Sequence, residues 1–257
     1  MDWTDAKRVI NDFASFGTRA ATITGGGEPL LYAKLPDTIR HFYMLGIKVG
    51  LVTNGLYLDR LSRYELEMLT WCRISSSDSR EFTGQYRSML ERVVGATSTV
   101  DWGFSHVVSR SPNYTTMKNV VEFANEHDFT HVRLTADILD AERVDLIPVR
   151  EYLAGKDEKV IYQPRDESEK SSSCIIGYVK PLVAPDFKMY LCCGVQYALN
   201  SPTRDMPDEL CMGDARDLQS VYADRKPFDV WCTRCFYGDY NRMLGTQFTD
   251  LRHVEFV

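Results

Sequence analysis

Residues 22–32 read TITGGGEPLLY: a short β-type run, three consecutive glycines, a carboxylate and a proline. A turn needs one or two residues able to take positive φ, so three glycines exceed what turning the chain demands. Gly25, Gly26 and Gly27 describe a backbone stripped of side chains so that another group can lie against it. Loops of that kind carry function more often than core strands do. Taken alone, the segment also reads as a plain turn. The G-x-G-x-x-G nucleotide fingerprint is not met, because Glu28 and Pro29 follow the glycines.

Outward from this loop, helix-type and strand-type segments alternate. TDAKRVINDFASFG places Ala6, Val9, Ile10 and Phe13 at helical spacing, stops at Gly17 and precedes the strand RAATIT. LPDTIRHFYMLG then leads to IKVGLVT, DRLSRYELEMLT to WCRISS, EFTGQYRSMLERVVG to DWGFSHVVS, and TTMKNVVEFANEHD to THVRLTAD. A further helix is expected near Asp140. Such alternation implies an α/β fold with parallel strands joined by right-handed crossovers. The pattern gives five strands, and the chain opens on a helix where a first strand is expected. Residues 156–173 are charged and Ser-rich and read as a linker. Beyond them, GYVKPLVAPDFKMYLCC reads as a hairpin turning at Pro185-Asp186, followed by helices near Leu218 and after Cys235.

In parallel α/β folds the loops at the carboxyl ends of the strands converge on the chemistry. Here they carry Gly25 to Pro29, then Thr53-Asn54-Gly55, then Ser75 to Ser79, with Arg133 on the fifth strand. Ser76 and Asp78, two apart, share one side of their strand and suit ribose hydroxyls. Each residue has a structural reading beside the functional one: Asn54-Gly55 as a common turn, Arg133 as a strand-end charge, His106 as a packed strand histidine.

The joint pattern resembles the radical S-adenosylmethionine (radical SAM) superfamily. GGEP, Gly26 to Pro29, is similar to the family's second-strand motif, and VTNG, the Ser-Asp segment and VVSRSPNYTTMKNVVEFANEHDF fall where the family places its later loops. The resemblance covers roughly residues 4 to 155 and implies a partial (βα)6 TIM-like barrel lacking its first strand. It implies that Gly26, Gly27, Glu28 and Pro29 hold the methionine end of S-adenosyl-L-methionine. Asn54, Ser76 and Asp78 then line the adenosine side, and Arg133 pairs with the carboxylate. The family's defining Cys-x3-Cys-x2-Cys, whose thiolates hold the catalytic 4Fe–4S cluster, is absent: no cysteine precedes Cys72, itself inside a strand and read as a buried thiol. Three arrangements account for this: a fragment begun at an internal methionine, a split enzyme whose first unit lies on a partner chain, or a degenerate relative. The intact motif loops favour the first two.

Six of the seven cysteines lie beyond residue 170. Cys232-Thr-Arg-Cys235 has the spacing that brings two sulfurs onto one metal. Cys174, before the hairpin, and Cys192 and Cys193, at its end, are candidate partners, one of the vicinal pair binding and the other packing. Cys211 is the weakest candidate ligand. Four thiolates suit zinc or an iron–sulfur cluster alike. The order resembles the SPASM or twitch extension of radical SAM enzymes, which implies one auxiliary 4Fe–4S cluster in a Cys-rich region spanning residues 174–257.

Composition limits the remaining choices. The net charge of −6 disfavours a nucleic-acid partner, and no apolar run approaches the roughly 18 residues of a membrane span. The amino terminus is not a signal peptide, so a cytoplasmic protein is expected, with thiols or metal ligands instead of disulfides. The leading expectation is a radical SAM enzyme acting on a peptide, protein or small metabolite. The rival is a recognition subunit that binds without catalysing, with a structural iron–sulfur or zinc site.

Overall fold

The computed structural model describes residues 1–78, 82, 84–137, 144–164, 173–195, 206–223, 228–229, 232, 235 and 237–250. The chain divides into two units, one comprising Ile10–Arg165 and the other Met1–Val9 with Asp166–Val257.

After α1 (Trp3–Ser15), strands and helices alternate: β1 (Ala20–Ile23), α2 (Leu35–Met44), β2 (Lys48–Thr53), α3 (Arg63–Glu67), β3 (Trp71–Ser77), α4 (Gly84–Gly95), β4 (Asp101–Val108), α5 (Tyr114–Glu126), β5 (His131–Ala136), α6 (Ile147–Tyr152) and β6 (Val160–Gln163). The strands form one sheet in sequence order, every neighbouring pair parallel. This is the expected α/β architecture, an open sheet that hydrogen bonds do not close into a ring. One detail differs from the sequence pattern. The sheet has six strands, because Val160–Gln163, inside the stretch read as a linker, pairs with β5. That strand is four residues long and only half-buried, so its apolar signal is weak. The helix start expected near Asp140 lies outside the described residues, and α6 spans Ile147–Tyr152.

Alternation along each strand gives the sheet two unlike faces. On the helix-covered face, Val49, Leu51, Cys72, Ile74, Phe104, Val132 and Leu134 join Ile39, Leu90, Met117 and Phe123 in one core. Phe104 stacks on Phe129 with ring centroids 4.7 Å apart. The opposite face carries Gly50 and Val52, then Trp71, Arg73, Ser75 and Ser77, then Gly103, Ser105 and Val107, then His131, Arg133 and Thr135. Parallel sheets are usually apolar on both sides. On this second face hydroxyls and guanidiniums stand among apolar side chains. Its glycines make room for rings on the next strand: a Cβ at Gly50 would lie 2.1 Å from Trp71 Cε2.

In the second unit, β7 (Ser173–Cys174) leads to α7 (Ile176–Val179), β8 (Leu182–Val183), β9 (Lys188–Tyr190), β10 (Cys211–Asp214), α8 (Leu218–Val221), β11 (Phe228–Asp229) and α9 (Gly238–Asp250). The expected hairpin is present, with Val183 opposite Met189 and the turn at Pro185-Asp186. β10 adds a third antiparallel strand, and β11 pairs with β7. Ala184, Tyr190, Leu191, Val195 and Leu210 form the core here. Among the described residues no helix is long and apolar enough to cross a membrane.

Candidate functional site

The loop after β1 is organised by Glu28. It caps the 3-10 turn Pro29–Leu31, its Oε1 accepting the Leu30 N–H at 3.0 Å, with Pro29 opening that turn. Oε1 also accepts the Thr53 hydroxyl at 2.6 Å, and Oε2 accepts the Asn54 N–H at 2.8 Å. One carboxylate thereby ties the glycine loop to the turn at the end of β2. The second turn is fixed from its other side. Gly55 N donates to Thr53 Oγ1, Leu56 N donates to Asn54 Oδ1, and the Tyr86 hydroxyl donates to Asn54 O. Gly55 takes φ +75°, so glycine is required there. Oε2 keeps an acceptor position, since a carboxylate oxygen can take two donors and it has one among the described residues.

The glycines before Glu28 behave differently from Gly55. Neither Gly25 nor Gly27 has positive φ. A Cβ at Gly27 would meet nothing within 4 Å, and one at Gly25 would make ordinary contacts of 3.5 Å and more. Nothing described in the chain requires glycine at these two positions. The loop is exposed and bare beside a carboxylate with acceptor capacity left.

Ser76 and Asp78 are brought together through His106. Asp78 Oδ1 lies 2.9 Å from His106 Nε2, which donates to the carboxylate, and Ser76 Oγ lies 3.0 Å from Nδ1. Asp78 further accepts from the backbone N–H groups of Ser109 and Asn113 at 2.6 and 2.9 Å. His106 is completely buried and lies on the helix-covered face. Ser76 and Asp78 thus spend polar atoms on protein partners, and Asp78 fastens the β4–α5 connection to the end of β3. His106, read from the sequence as a packed strand residue, is the hub that sequence reasoning left out of the site. The signal was its place opposite Ser76 on the neighbouring strand.

Burial pushes the Asp78 carboxyl up, but the bonds from His106, Ser109 and Asn113 outweigh it and hold it below the ordinary carboxylate range. A depressed folded pKa gives stability that is complete above the unfolded value, about 3.9, and lost as pH falls through the folded one. Asp78→Asn leaves at least one N–H facing an amide nitrogen, and is expected to lower stability at pH 7 by about 2–3 kcal/mol. Urea unfolding at pH 7 and below pH 4 checks both points: the gap between wild type and variant should narrow in acid.

Arg133 lies on the opposite, polar face, where its Nε and Nη2 donate to Ser105 Oγ at 3.3 and 3.0 Å. It is therefore set apart from Ser76 and Asp78, which face the helices.

No cysteine forms a disulfide. Cys72 is fully buried, its thiol pushed up by burial and then by the charge of Glu28. In the second unit the thiols sort into two groups. Cys192 is pushed up to about 12, by burial first and then by Cys193, Cys174 and Cys232. Cys232 is raised to about 11 by burial, Cys174 and Cys235. Cys174 is raised by burial, with Cys235 adding to it. Cys174 and Cys232 thus each lie near both Cys192 and Cys235. Cys193 is exposed and contacts the Tyr237 hydroxyl at 3.0 Å, while Cys211 points to Gly213 O. Among the described residues, no three His, Cys, Asp or Glu side chains close to metal-holding geometry. Thiols are the donor type that zinc and iron–sulfur groups take.

No family model matches the chain. A stretch of 87 residues is 30% identical to the Fe-coproporphyrin III synthase of Methanosarcina barkeri, covering 33% of this chain and 22% of that protein. Among solved structures, Streptococcus suis SuiB bound to S-adenosylmethionine matches with a TM-score of 0.58 at 15% identity, covering 86% of this chain and 58% of that one. SuiB bound to the precursor peptide SuiA matches with a TM-score of 0.60 at 13% identity, covering 86% and 57%. The chain thus spans about a fifth of the curated relative and under two thirds of SuiB, with which it shares its fold.

Proposed function

We propose that the chain is the larger part of a radical SAM enzyme, with the bare loop Gly25–Gly27 as the seat of S-adenosylmethionine. The observation that carries this is the combination of two glycines the fold does not require with a carboxylate that keeps acceptor capacity beside them. The SuiB fold, solved with S-adenosylmethionine, supports it. Gly26, Gly27 and Pro29 shape the loop, and Glu28 Oε2 takes the ligand's amino group. Asn54 borders the adenosine side, where Ser76 and Asp78 act by fixing the ends of β3 and β4. Arg133, lower on the polar face, meets a carboxylate.

Cys174, Cys192, Cys232 and Cys235 would hold the auxiliary cluster, with Cys193 packing beside it. An iron–sulfur group there supplies electron transfer or a substrate anchor. Ligands for a catalytic cluster would come from a preceding segment or a partner chain. A peptide, protein or small metabolite suits the polar face.

The test is calorimetric titration of the anaerobically reconstituted chain with S-adenosylmethionine. Saturable binding at one site per chain is expected. No saturable heat at up to about 1 mM, weaker than about −4 kcal/mol of binding free energy, overturns the reading. The rival reading is a subunit that binds without catalysing. Tight binding with no cleavage after the motif-bearing segment is supplied would establish that alternative.

A further inference from the structure

Tyr86 reaches the candidate site from a helix that belongs to none of the motif loops. It stands in the first turn of α4 and is 8% exposed. Its ring packs edge-on against Phe82 with centroids 5.6 Å apart, and Phe82 in turn packs against Phe104 and Phe123 at 6.2 and 5.4 Å. A phenylalanine would fill the same place in this aromatic core. A buried phenolic hydroxyl costs desolvation unless it is bonded, and here it donates to Asn54 O at 2.9 Å.

The Asn54-Gly55 turn is built around that hydroxyl. A Cβ at Gly55 would lie 2.8 Å from Tyr86 Oη and 3.2 Å from Ile74 Cγ2, so space as well as positive φ excludes a side chain there. Asn54 is held at three points. Its N–H donates to Glu28 Oε2, its carbonyl accepts from Tyr86, and its Oδ1 accepts the Leu56 N–H at 2.9 Å. The last bond assigns the amide oxygen and makes Nδ2 the donor end of the side chain. Of these three bonds, the one from Tyr86 comes from the packed core, whereas Glu28 and Leu56 belong to the loops themselves.

We propose that Tyr86 is a positioning residue: its hydroxyl sets the Asn54 backbone so that the Nδ2 amide meets acceptor atoms on the adenosine half of S-adenosylmethionine. This rests on the reading that the carboxyl-end loops hold that ligand. Adenosine offers ring nitrogens and ribose oxygens as acceptors, and an amide N–H is a matching donor. Tyr86 itself touches no ligand and acts through Asn54. Without the hydroxyl, the Asn54 carbonyl loses its partner in the core, and the amide must be ordered at the moment of binding, which lowers affinity. The competing account is that the hydroxyl only stabilises the fold.

A double-mutant cycle separates the two accounts. Affinity for S-adenosylmethionine is measured calorimetrically on the anaerobically reconstituted full chain, for wild type, Tyr86→Phe, Asn54→Ala and the double variant. The temperature is one at which circular dichroism shows all four folded. Tyr86→Phe should weaken binding about fivefold or more in the wild-type background, the size of one hydrogen bond's net contribution. Once Asn54→Ala has removed the amide, the same exchange should cost less than about twofold. Equal losses in both backgrounds overturn the proposal, because the hydroxyl would then act on the fold alone. Unchanged affinity in Tyr86→Phe overturns it as well, while leaving the S-adenosylmethionine reading intact. A wild type without saturable binding sinks that reading and the proposal together, so the two failures are told apart. Asn54→Asp, which keeps an acceptor for the Leu56 N–H and removes the donor, replaces Asn54→Ala if that variant does not fold. Tyr86→Leu does the same for Tyr86→Phe.

Discussion

Exchanging Cys232 and Cys235 together for serine is expected to abolish iron and sulfide loading during anaerobic reconstitution. Iron–sulfur clusters are held by thiolates, and a serine hydroxyl does not replace one at neutral pH. Cys174 and Cys192 would be left as a pair, short of the four donors that close a structural site. Cys193→Ser and Cys211→Ser are the informative controls. Cys193 is exposed against Tyr237, and Cys211 turns to Gly213 O, so both variants should load as the wild type does. Loss of loading in Cys193→Ser alone would reverse the assignment within the vicinal pair. Full loading in the double variant would remove the auxiliary cluster from the proposal. Burial pushes Cys192 to about 12 and Cys232 to about 11, so a metal binding these thiols would have to displace protons. Loading should therefore strengthen as pH rises and weaken as protons compete, with iron or zinc content measured without oxygen. Zinc in place of iron and sulfide would keep the ligand set and change the chemistry.

Legibility in the sequence followed the strength of the local signal. β1 to β5 lie within about a residue of their apolar runs, since each alternates between a helix-covered core and a polar face. β6 was hidden because Val160–Gln163 is short and half-buried at the sheet edge. DRLSRYELEMLT reads as one helix but splits into a 3-10 turn and α3, because the Ser62–Glu65 capping box starts a new helix after Leu61. The glycine loop was legible as a bare segment, though not the reason Glu28 stands in it. Its three bonds reach Leu30, Thr53 and Asn54, and the latter two are 25 and 26 residues away. The sharing of one side by Ser76 and Asp78 was readable from spacing, whereas the His106 between them comes from the next strand. Arg73 carried no motif at all. Its buried Nε, without a partner among the described residues, and its stacking over Trp71 are properties of the assembled sheet.

Glu28→Gln is expected to damage both the fold and the ligand site, in a way that separates them. Glu28 Oε1 serves two donors and Oε2 a third, so every bond runs from a protein donor to a carboxylate oxygen. A glutamine amide has one oxygen. Placed at Oε1, it turns its NH2 toward the Asn54 N–H; flipped, it turns the NH2 toward the Leu30 N–H. Either way a backbone donor loses its acceptor, at about 1–3 kcal/mol, and the remaining bonds lose their charge assistance. A total loss near 3 kcal/mol should appear as a lower urea midpoint with an unchanged slope. The separating measurement is S-adenosylmethionine affinity of the folded variant at low temperature, where unfolding contributes nothing. The variant's neutral amide removes the charge that the ligand's ammonium group would meet, and affinity should fall at least tenfold, about 1.4 kcal/mol or more. Glu67→Gln is the reference for charge alone, because its ion pair with Arg63 is exposed and such pairs contribute about 0–1 kcal/mol. If Glu28→Gln unfolds early yet binds as the wild type does, the carboxylate is purely a tie between two turns and the ligand's amino group is held elsewhere. If affinity falls with stability untouched, the tie is redundant and the contact with ligand is the reason for a carboxylate at this position.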